Sequence, residues 1–147
     1  MADIARNRQA AYKYNFLEKW EAGLQLQGSE VKSLRNGGVQ LKDAYATLTE
    51  GEVWLHNMHI APYQHAPAES HEPERPRKLL MHKREIERLI GTIQQKGLTL
   101  IPTRIYFKGQ HAKVEIALAK GKDLHDKRRD LKAKDQRREI ERALRER

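Results

Sequence analysis

The chain has no cysteine, which excludes disulfides, thiol nucleophiles and thiolate metal sites. It has no run of about 18 apolar residues, so no transmembrane helix is expected. The opening residues Met1-Ala2-Asp3-Ile4-Ala5-Arg6 lack the apolar stretch of a signal peptide, and a cytoplasmic location is expected. Aromatic residues are scarce, at 6%, and hydrophobic residues reach only 38%, against 33% charged. A chain of 147 residues can bury one sizeable core, but this composition implies that part of it stays in solvent. Catalytic signatures are absent too: there is no GxSxG, no glycine-rich phosphate loop, no HExxH and no acidic cluster suited to two metals. Glu69, Glu72 and Glu74 sit among prolines with no scaffold. Among the seven histidines, His56 and His59 fall at i, i+3 in a predicted strand and so point to opposite faces, while His65 and His71 lie in a proline-rich loop and are expected in solvent. Neither an enzyme nor a bound metal or cofactor is expected.

What the chain has in excess is positive charge. Twenty-nine Lys/Arg against 20 Asp/Glu give a net charge of +9, the balance of a protein that meets an anionic polymer. The excess is uneven. Residues 119–147 hold 12 basic and 7 acidic side chains, and Leu124, Leu131, Ile140 and Leu144 are their only large aliphatics. Alone, such a segment cannot offset its own ordering entropy. Acid-before-base pairs at i, i+4 (Asp123/Lys127, Asp130/Lys134, Glu141/Arg145) still favour a helix. The division is therefore a globular domain over 1–118 and a basic tail over 119–147, disordered when free and helical against a partner. A plain solvated helix or a solubility tail is the alternative.

Within 1–118, Tyr12/Tyr14/Phe16 and Ala22/Leu24/Leu26 alternate as strands do. Ser29 is expected to cap a helix over 30–35, with Val31 and Leu34 inward and Gly37-Gly38 as its stop. Glu50-Gly51 marks a hairpin between strands at 43–49 and 52–60. Residues 61–76 hold four of the five prolines and form a loop. Leu79-Leu80-Met81 is a short apolar run. Ile86, Leu89, Ile90 and Ile93 predict a helix over 83–96, ended by Gly97. A strand over 98–107 contains Pro102, which implies an edge or a bulge. After a turn at 108–111, Ala112, Val114, Ile116 and Leu118 alternate again. About six amphipathic strands with little helix cover fit a small closed or nearly closed barrel, although periodicity alone leaves an α+β sandwich open. Such barrels commonly bind RNA, with cations on phosphates and rings on bases. Tyr12, Trp20, Trp54, Tyr63 and Tyr106 are the candidate rings, each competing with a core role. Arg77-Lys78 places two cations beside Leu79-Leu80.

Three blocks carry a family resemblance. Residues 21–35 read EAGLxLxGxEVKSLR, residues 77–82 read RKLLxH, and residues 119–128 read AKGKxxHDKR. In this order and spacing the chain resembles the SsrA-binding proteins (small protein B) of bacterial trans-translation, from about Asn7 to Arg129. The resemblance implies a mainly β fold: an antiparallel barrel of the OB type with two to three flanking helices. It implies binding to the tRNA-like domain of transfer-messenger RNA and delivery of that RNA to ribosomes stalled on messages without a stop codon. The partners it implies are that RNA and the decoding centre and mRNA channel of the small ribosomal subunit. Elongation factor Tu and alanyl-tRNA synthetase follow indirectly through the RNA. A monomer with no membrane contact and no catalysis of its own is expected.

The resemblance also nominates residues. Asn7, Glu21, Leu80 and Lys113 match positions associated with holding the RNA, and Arg77 and Lys78 are candidate phosphate anchors. Lys113 faces away from the Ala112/Val114/Ile116 stripe by period 2, which suits a phosphate contact. Glu21 cannot attract phosphate; it can accept hydrogen bonds from base edges or 2′-hydroxyls, or orient a neighbouring cation. Leu80 either packs on a base or ribose or is a core leucine. In the tail, Lys120, Gly121, Lys122, His125, Asp126, Lys127 and Arg128 match the family's block. His125 resembles a residue that stacks on a decoding-centre base, Asp126 either caps a helix or pairs with a cation, and the cations can share one diffuse role. Before the first predicted strand the pattern departs: Ala11 stands where the family usually has a cation and Lys13 where it has an acid, which bears on Asn7 as well. Two rivals are a generic RNA-binding barrel, which would not need Glu21 or the HDKR block, and an RNA-processing enzyme, which would need a catalytic motif.

Overall fold

In the computed structural model, which describes residues 3–63, 70–93 and 98–121, the alternating apolar residues form the inner wall of an antiparallel barrel. In chain order the elements are β1 (Asp3–Arg6), α1 (Ala10–Lys13), β2 (Tyr14–Leu24), α2 (Gly28–Arg35), β3 (Val39–Gln40), β4 (Tyr45–Thr49), β5 (Glu52–His56), β6 (His59–Ile60), β7 (Arg77–Leu80), α3 (Lys83–Ile93), β8 (Leu98–Lys108) and β9 (His111–Gly121). The sheet runs β1-β8-β4-β5-β7-β2-β9, and β8 also pairs with β9. That last pairing closes β2, β9, β8, β4, β5 and β7 into a ring, so those strands have no open edge to protect. β1 adds to β8, and β3 pairs with β6 in a separate two-stranded ribbon. The fold is mainly β with a few flanking helices, consistent with the OB-like expectation.

Local chemistry explains the joints. Glu50 (φ 52°) and Gly51 (φ 77°) both take positive φ between the paired residues Thr49 and Glu52. Two such residues in a two-residue loop match the twist of the flanking strands. Inside the ring, Trp20, Ala22, Leu24, Ala46, Val53, Leu55, Leu79, Leu100, Ile105, Val114, Ile116 and Leu118 form one apolar cluster with Leu34 of α2 and Leu89 of α3. Truncating one of its leucines to alanine costs about 2–5 kcal/mol in such a setting.

Register shifts at Phe16/Glu18 in β2 and Pro102/Arg104 in β8 mark the bulges that Pro102 foreshadowed. On the side of the bulges that holds Tyr14, Ile101 and Ala119 the outer surface of β2, β9 and β8 is apolar, and Ala10 of α1 packs there against Ile101 and Ala119, with Tyr14 and Phe16 alongside. On the side that holds Glu21, Arg104 and Lys113 the same surface is charged, and no described element covers it. One end of the sheet's outer face is thus sealed by α1 and the other is open.

Several boundaries differ from the sequence reading. Tyr14, Phe16, Ala22 and Leu24 of the two runs belong to one strand of 11 residues, whereas Tyr12 lies exposed in the helix Ala10–Lys13 and Leu26 falls past the strand's end. Gln27, not Ser29, caps α2: the Gln27 side chain accepts from the Glu30 backbone, and Gln27 N–H donates to Glu30 Oε1 at 2.9 Å. Ser29 instead hydrogen-bonds His71 Nδ1 at 2.9 Å, and His71 Nε2 meets Ile60 O at 2.9 Å. His71 is therefore buried rather than in solvent. β9 runs through Gly121, so Lys120 and Gly121, assigned to the tail by sequence, are strand residues paired with Asn15 and Tyr14. β1, β3 and α1 were not anticipated; each is at most four residues long, too short to show a period.

Candidate nucleic-acid interface

Residues directly opposite one another in an antiparallel ladder share a face. The registers place Leu80 of β7 opposite Gly23 of β2, Gly23 opposite Lys113 of β9, Lys113 opposite Tyr106 of β8, and Tyr106 opposite Asp3 of β1. The adjacent row on the same face holds Glu21, Glu115, Arg104 and Arg6. Lys19 lies two residues before Glu21, and Lys108 two residues after Tyr106. Glu21, Leu80 and Lys113, named separately from the sequence, therefore meet on one open surface. Leu80 is 52% exposed, which decides against the core-leucine alternative. Gly23 leaves the middle of the row bare, and a Cβ there would lie 3.2 Å from Leu80 Cβ.

The charges of this face are organised around three carboxylates, Asp3, Glu21 and Glu115. Glu115 accepts from Thr103 Oγ1 (2.9 Å) and Arg104 Nε (3.0 Å), and Lys19 Nζ lies 3.4 Å away. Arg104 continues to Asp3 at 3.0 Å, and Arg6 also donates to Asp3. Burial works to raise the Glu115 pKa, but hydrogen bonds from Arg104 and Thr103 hold it below the ordinary value. The bonds from Arg6 and then Arg104 likewise lower Asp3. Glu21 accepts from Tyr106 Oη and, at 3.4 Å, from Lys108 Nζ. The tyrosine bond first, and then the charges of Lys108 and Lys113, keep Glu21 ionised below its ordinary range. Burial and the bond to Glu21 push the Tyr106 phenol up to about 12. Arg104 also stacks over the Tyr106 ring, 4.6 Å from its centroid. Tyr106 is nearly fully buried beneath this network, so its ring is part of the support and is not presented to a ligand.

The other nominated residues separate. Lys78 shares the side of Leu80 by period 2 and lies 3.0 Å from Glu52. Arg77 points inward and has no exposed surface. Its guanidinium donates to Glu30, to Met58 O at 2.6 Å and to Pro73 O at 3.0 Å. The expectation of a phosphate anchor at Arg77 is corrected: its guanidinium is buried and joins α2, Met58 and the proline segment. Asn7 donates its side-chain amide to Leu41 O (3.3 Å) and Pro102 O (3.1 Å), pinning the turn between β1 and α1 against β8. That turn and its surroundings make a cleft lined by Arg6, Asn7, Arg8, Phe16, Lys19 and Arg104. Lys120 and Gly121 stand at the far end of β9 from Lys113, roughly 23 Å along a strand. Lys122, His125, Asp126, Lys127 and Arg128 lie outside the described residues. Of the candidate rings, Trp20 is buried, Trp54 is partly buried, and Tyr63 has Lys32 Nζ 5.2 Å from its centroid.

Sequence reasoning missed Lys19, Arg104 and Lys108 as members of this face, Glu30 and His71 as buried polar residues, and the half-buried Arg75 as a partner of Glu30. The alternation Arg104/Tyr106/Lys108 against Ile105/Phe107 did carry the first signal. An acid inside the α2 block carried the second. Among the described residues no group of three or more His, Cys, Asp or Glu is placed to hold a metal, and no helix is long and apolar enough to cross a membrane.

Comparison with known proteins agrees with this architecture. The family profile described as SmpB protein matches residues 4–146. An SsrA-binding protein of Carboxydothermus hydrogenoformans is 57% identical over 144 residues, covering 98% of this chain and 97% of the relative. One from Aquifex aeolicus is 56% identical over 140 residues, covering 95% and 89%. A solved chain described as "tmRNA-SmpB: a journey to the center of the bacterial ribosome" superposes with a TM-score of 0.70 at 47% identity, covering 84% of this chain and 87% of that one. With its barrel, its open basic face and these matches over nearly its whole length, the chain belongs to the SmpB family of SsrA-binding proteins.

Proposed function

We infer that the open face of β2, β9 and β8, with Leu80 of β7 at its margin, is where this chain holds the tRNA-like domain of transfer-messenger RNA. The chain is an RNA-binding ribosome-rescue factor of trans-translation, an adaptor that binds transfer-messenger RNA and delivers it to stalled ribosomes. One observation carries the assignment of the face: the strand registers bring Glu21, Leu80 and Lys113 onto one uncovered surface. Lys113, Lys19, Lys108 and Lys78 supply cations for phosphates, which position an RNA without reading it. Glu21 and Leu80 supply the contacts that distinguish one RNA from another. Asn7 acts indirectly, by fixing the turn that carries Arg6 and Arg8. Arg77 has no part in this surface.

The tail completes the role. The segment 119–147 carries a net charge of +5 and few core-forming residues. An mRNA channel empty of message is walled by phosphates, and counterion release draws such a segment in. Folding on entry makes vacancy itself the condition that is sensed, because a channel filled with message leaves no room to fold. Lys120, Lys122, Lys127 and Arg128 share the phosphate contacts, His125 stacks on a decoding-centre base, and Asp126 caps or pairs within the helix. Gly121 passes the chain from β9 into this segment. The protein acts as a monomer, and elongation factor Tu and alanyl-tRNA synthetase join through the RNA. Tagging of a stalled nascent chain by protein truncated after Gly121 tests the tail: it is expected to fail although the RNA is still bound, and tagging at the full-length rate would refute the role.

A further inference from the structure

The carboxylates of Glu115 and Glu21 on the open face are not equivalent. Glu115 is engaged by Thr103, Arg104 and Lys19, and its side chain is 19% exposed. Glu21 is 38% exposed, and among the described residues its bonds come from Tyr106, on Oε2, and weakly from Lys108, on Oε1. An ionised carboxylate has about four lone-pair sites, so one acceptor site on each oxygen of Glu21 is left for a ligand. An acid on a phosphate-binding face weakens binding unless it has donors of its own to meet. The ligand must therefore present two adjacent donors at the spacing of the carboxylate oxygens.

Among the edges of an RNA chain, guanine fits. Its Watson–Crick edge offers N1–H and the N2 amino group side by side. The N6 amino group of adenine is flanked by the acceptor N1, the N4 amino group of cytosine by the acceptor N3, and N3–H of uracil by two carbonyls, so each would set an acceptor against the carboxylate. A ribose within a chain has its 3′-oxygen esterified and offers a single hydroxyl. We propose that Glu21 reads one unpaired guanine through N1–H and N2–H, with Lys113 on a flanking phosphate and Leu80 against the base. The guanine must be unpaired because pairing would occupy the same edge. The surface suits a flat ring: Gly23, two residues from Glu21 on the same face, has no side chain, and Leu80 borders the bare strip. Tyr106 is a positioning residue here, since it fixes the Glu21 carboxylate from beneath without reaching the ligand.

This proposal rests on the open face being the RNA interface, and its test separates the two. Transfer-messenger RNA is transcribed with inosine scattered among its guanines, which removes the N2 amino group and keeps N1–H. Bound and free RNA are then separated with the full-length protein and with E21A, E21Q and K113A. The glutamine variant preserves size and fold while replacing one acceptor with a donor. At one unpaired guanine, inosine is expected to weaken wild-type binding about three- to tenfold, and to have no effect with either variant. If the variants weaken binding but no inosine position depends on Glu21, the interface stands and the guanine reading is overturned. If E21A and K113A bind as tightly as wild type, the interface itself is wrong and the guanine reading falls with it.

Discussion

Glu30 sits in α2 with no exposed surface, between Arg77, equally buried, and the half-buried Arg75. Burial works to raise its pKa, but the Gln27 backbone bond and the bonds from Arg75 and Arg77 outweigh it and leave the carboxyl below its ordinary 4.5. The sign follows directly: a depressed folded pKa contributes stability that is present above 4.5 and lost as pH falls through the folded value. Unfolding of wild type and E30Q by urea across a pH series should show a stability gap that is constant above 4.5 and narrows below it. E30A should cost about 3–5 kcal/mol, because it strands a buried guanidinium. Lys113 behaves differently. K113A should leave stability nearly unchanged and lower the slope of log affinity against log salt by about 0.7–0.9, the signature of one phosphate contact. Arg77→Met should do the reverse, lowering stability and leaving the salt slope alone, and a changed slope would restore Arg77 to the interface. Adjacent residues in one motif thus divide between core and surface. Period 2 predicts that Arg77 and Lys78 face opposite ways, but not which of the two faces inward: that depends on Glu30, which lies 47 residues away in sequence.

At the scale of elements, α2 is held at its start by a reciprocal cap between Gln27 and Glu30. Q27A should destabilise the protein by about 0.5–2 kcal/mol, measurable by thermal unfolding, with no change in the salt slope. A Ser at position 29 just before Glu30 made Ser29 the obvious cap, yet His71 claims its hydroxyl, and only the tertiary structure brings those residues together. β2 and β9 show how far pattern reading reaches. The stripes Ala22/Leu24 and Ala112/Val114/Ile116 were legible because one face is core. The inversion beyond each bulge was not, because α1, four residues long, covers the other face there. Gly23 belongs to this scale as well. Gly23→Val would drive a branched side chain toward Leu80 across the ladder, so RNA affinity should fall more than tenfold while the barrel still melts cooperatively.

For the whole molecule, the strand count fitted a barrel but left an α+β sandwich open, and the β8–β9 pairing decides for the barrel by closing the ring. The candidate interface was half legible: Glu21, Leu80 and Lys113 were each named, whereas their meeting on one face is a fact of register across β7, β2 and β9. The supporting shell of Tyr106, Arg104 and Lys108 comes from β8, more than eighty residues from Glu21 in the chain. The central claim is that this face, and not diffuse charge, selects transfer-messenger RNA. The most direct test is a titration of the full-length protein on transfer-messenger RNA across a salt series, with ordinary tRNA as competitor, for wild type, E21A and K113A. Tight binding that tRNA does not displace, weakened about tenfold by either substitution, is the predicted result. Equal affinity for both RNAs, a steep salt slope and no effect of either substitution would contradict it.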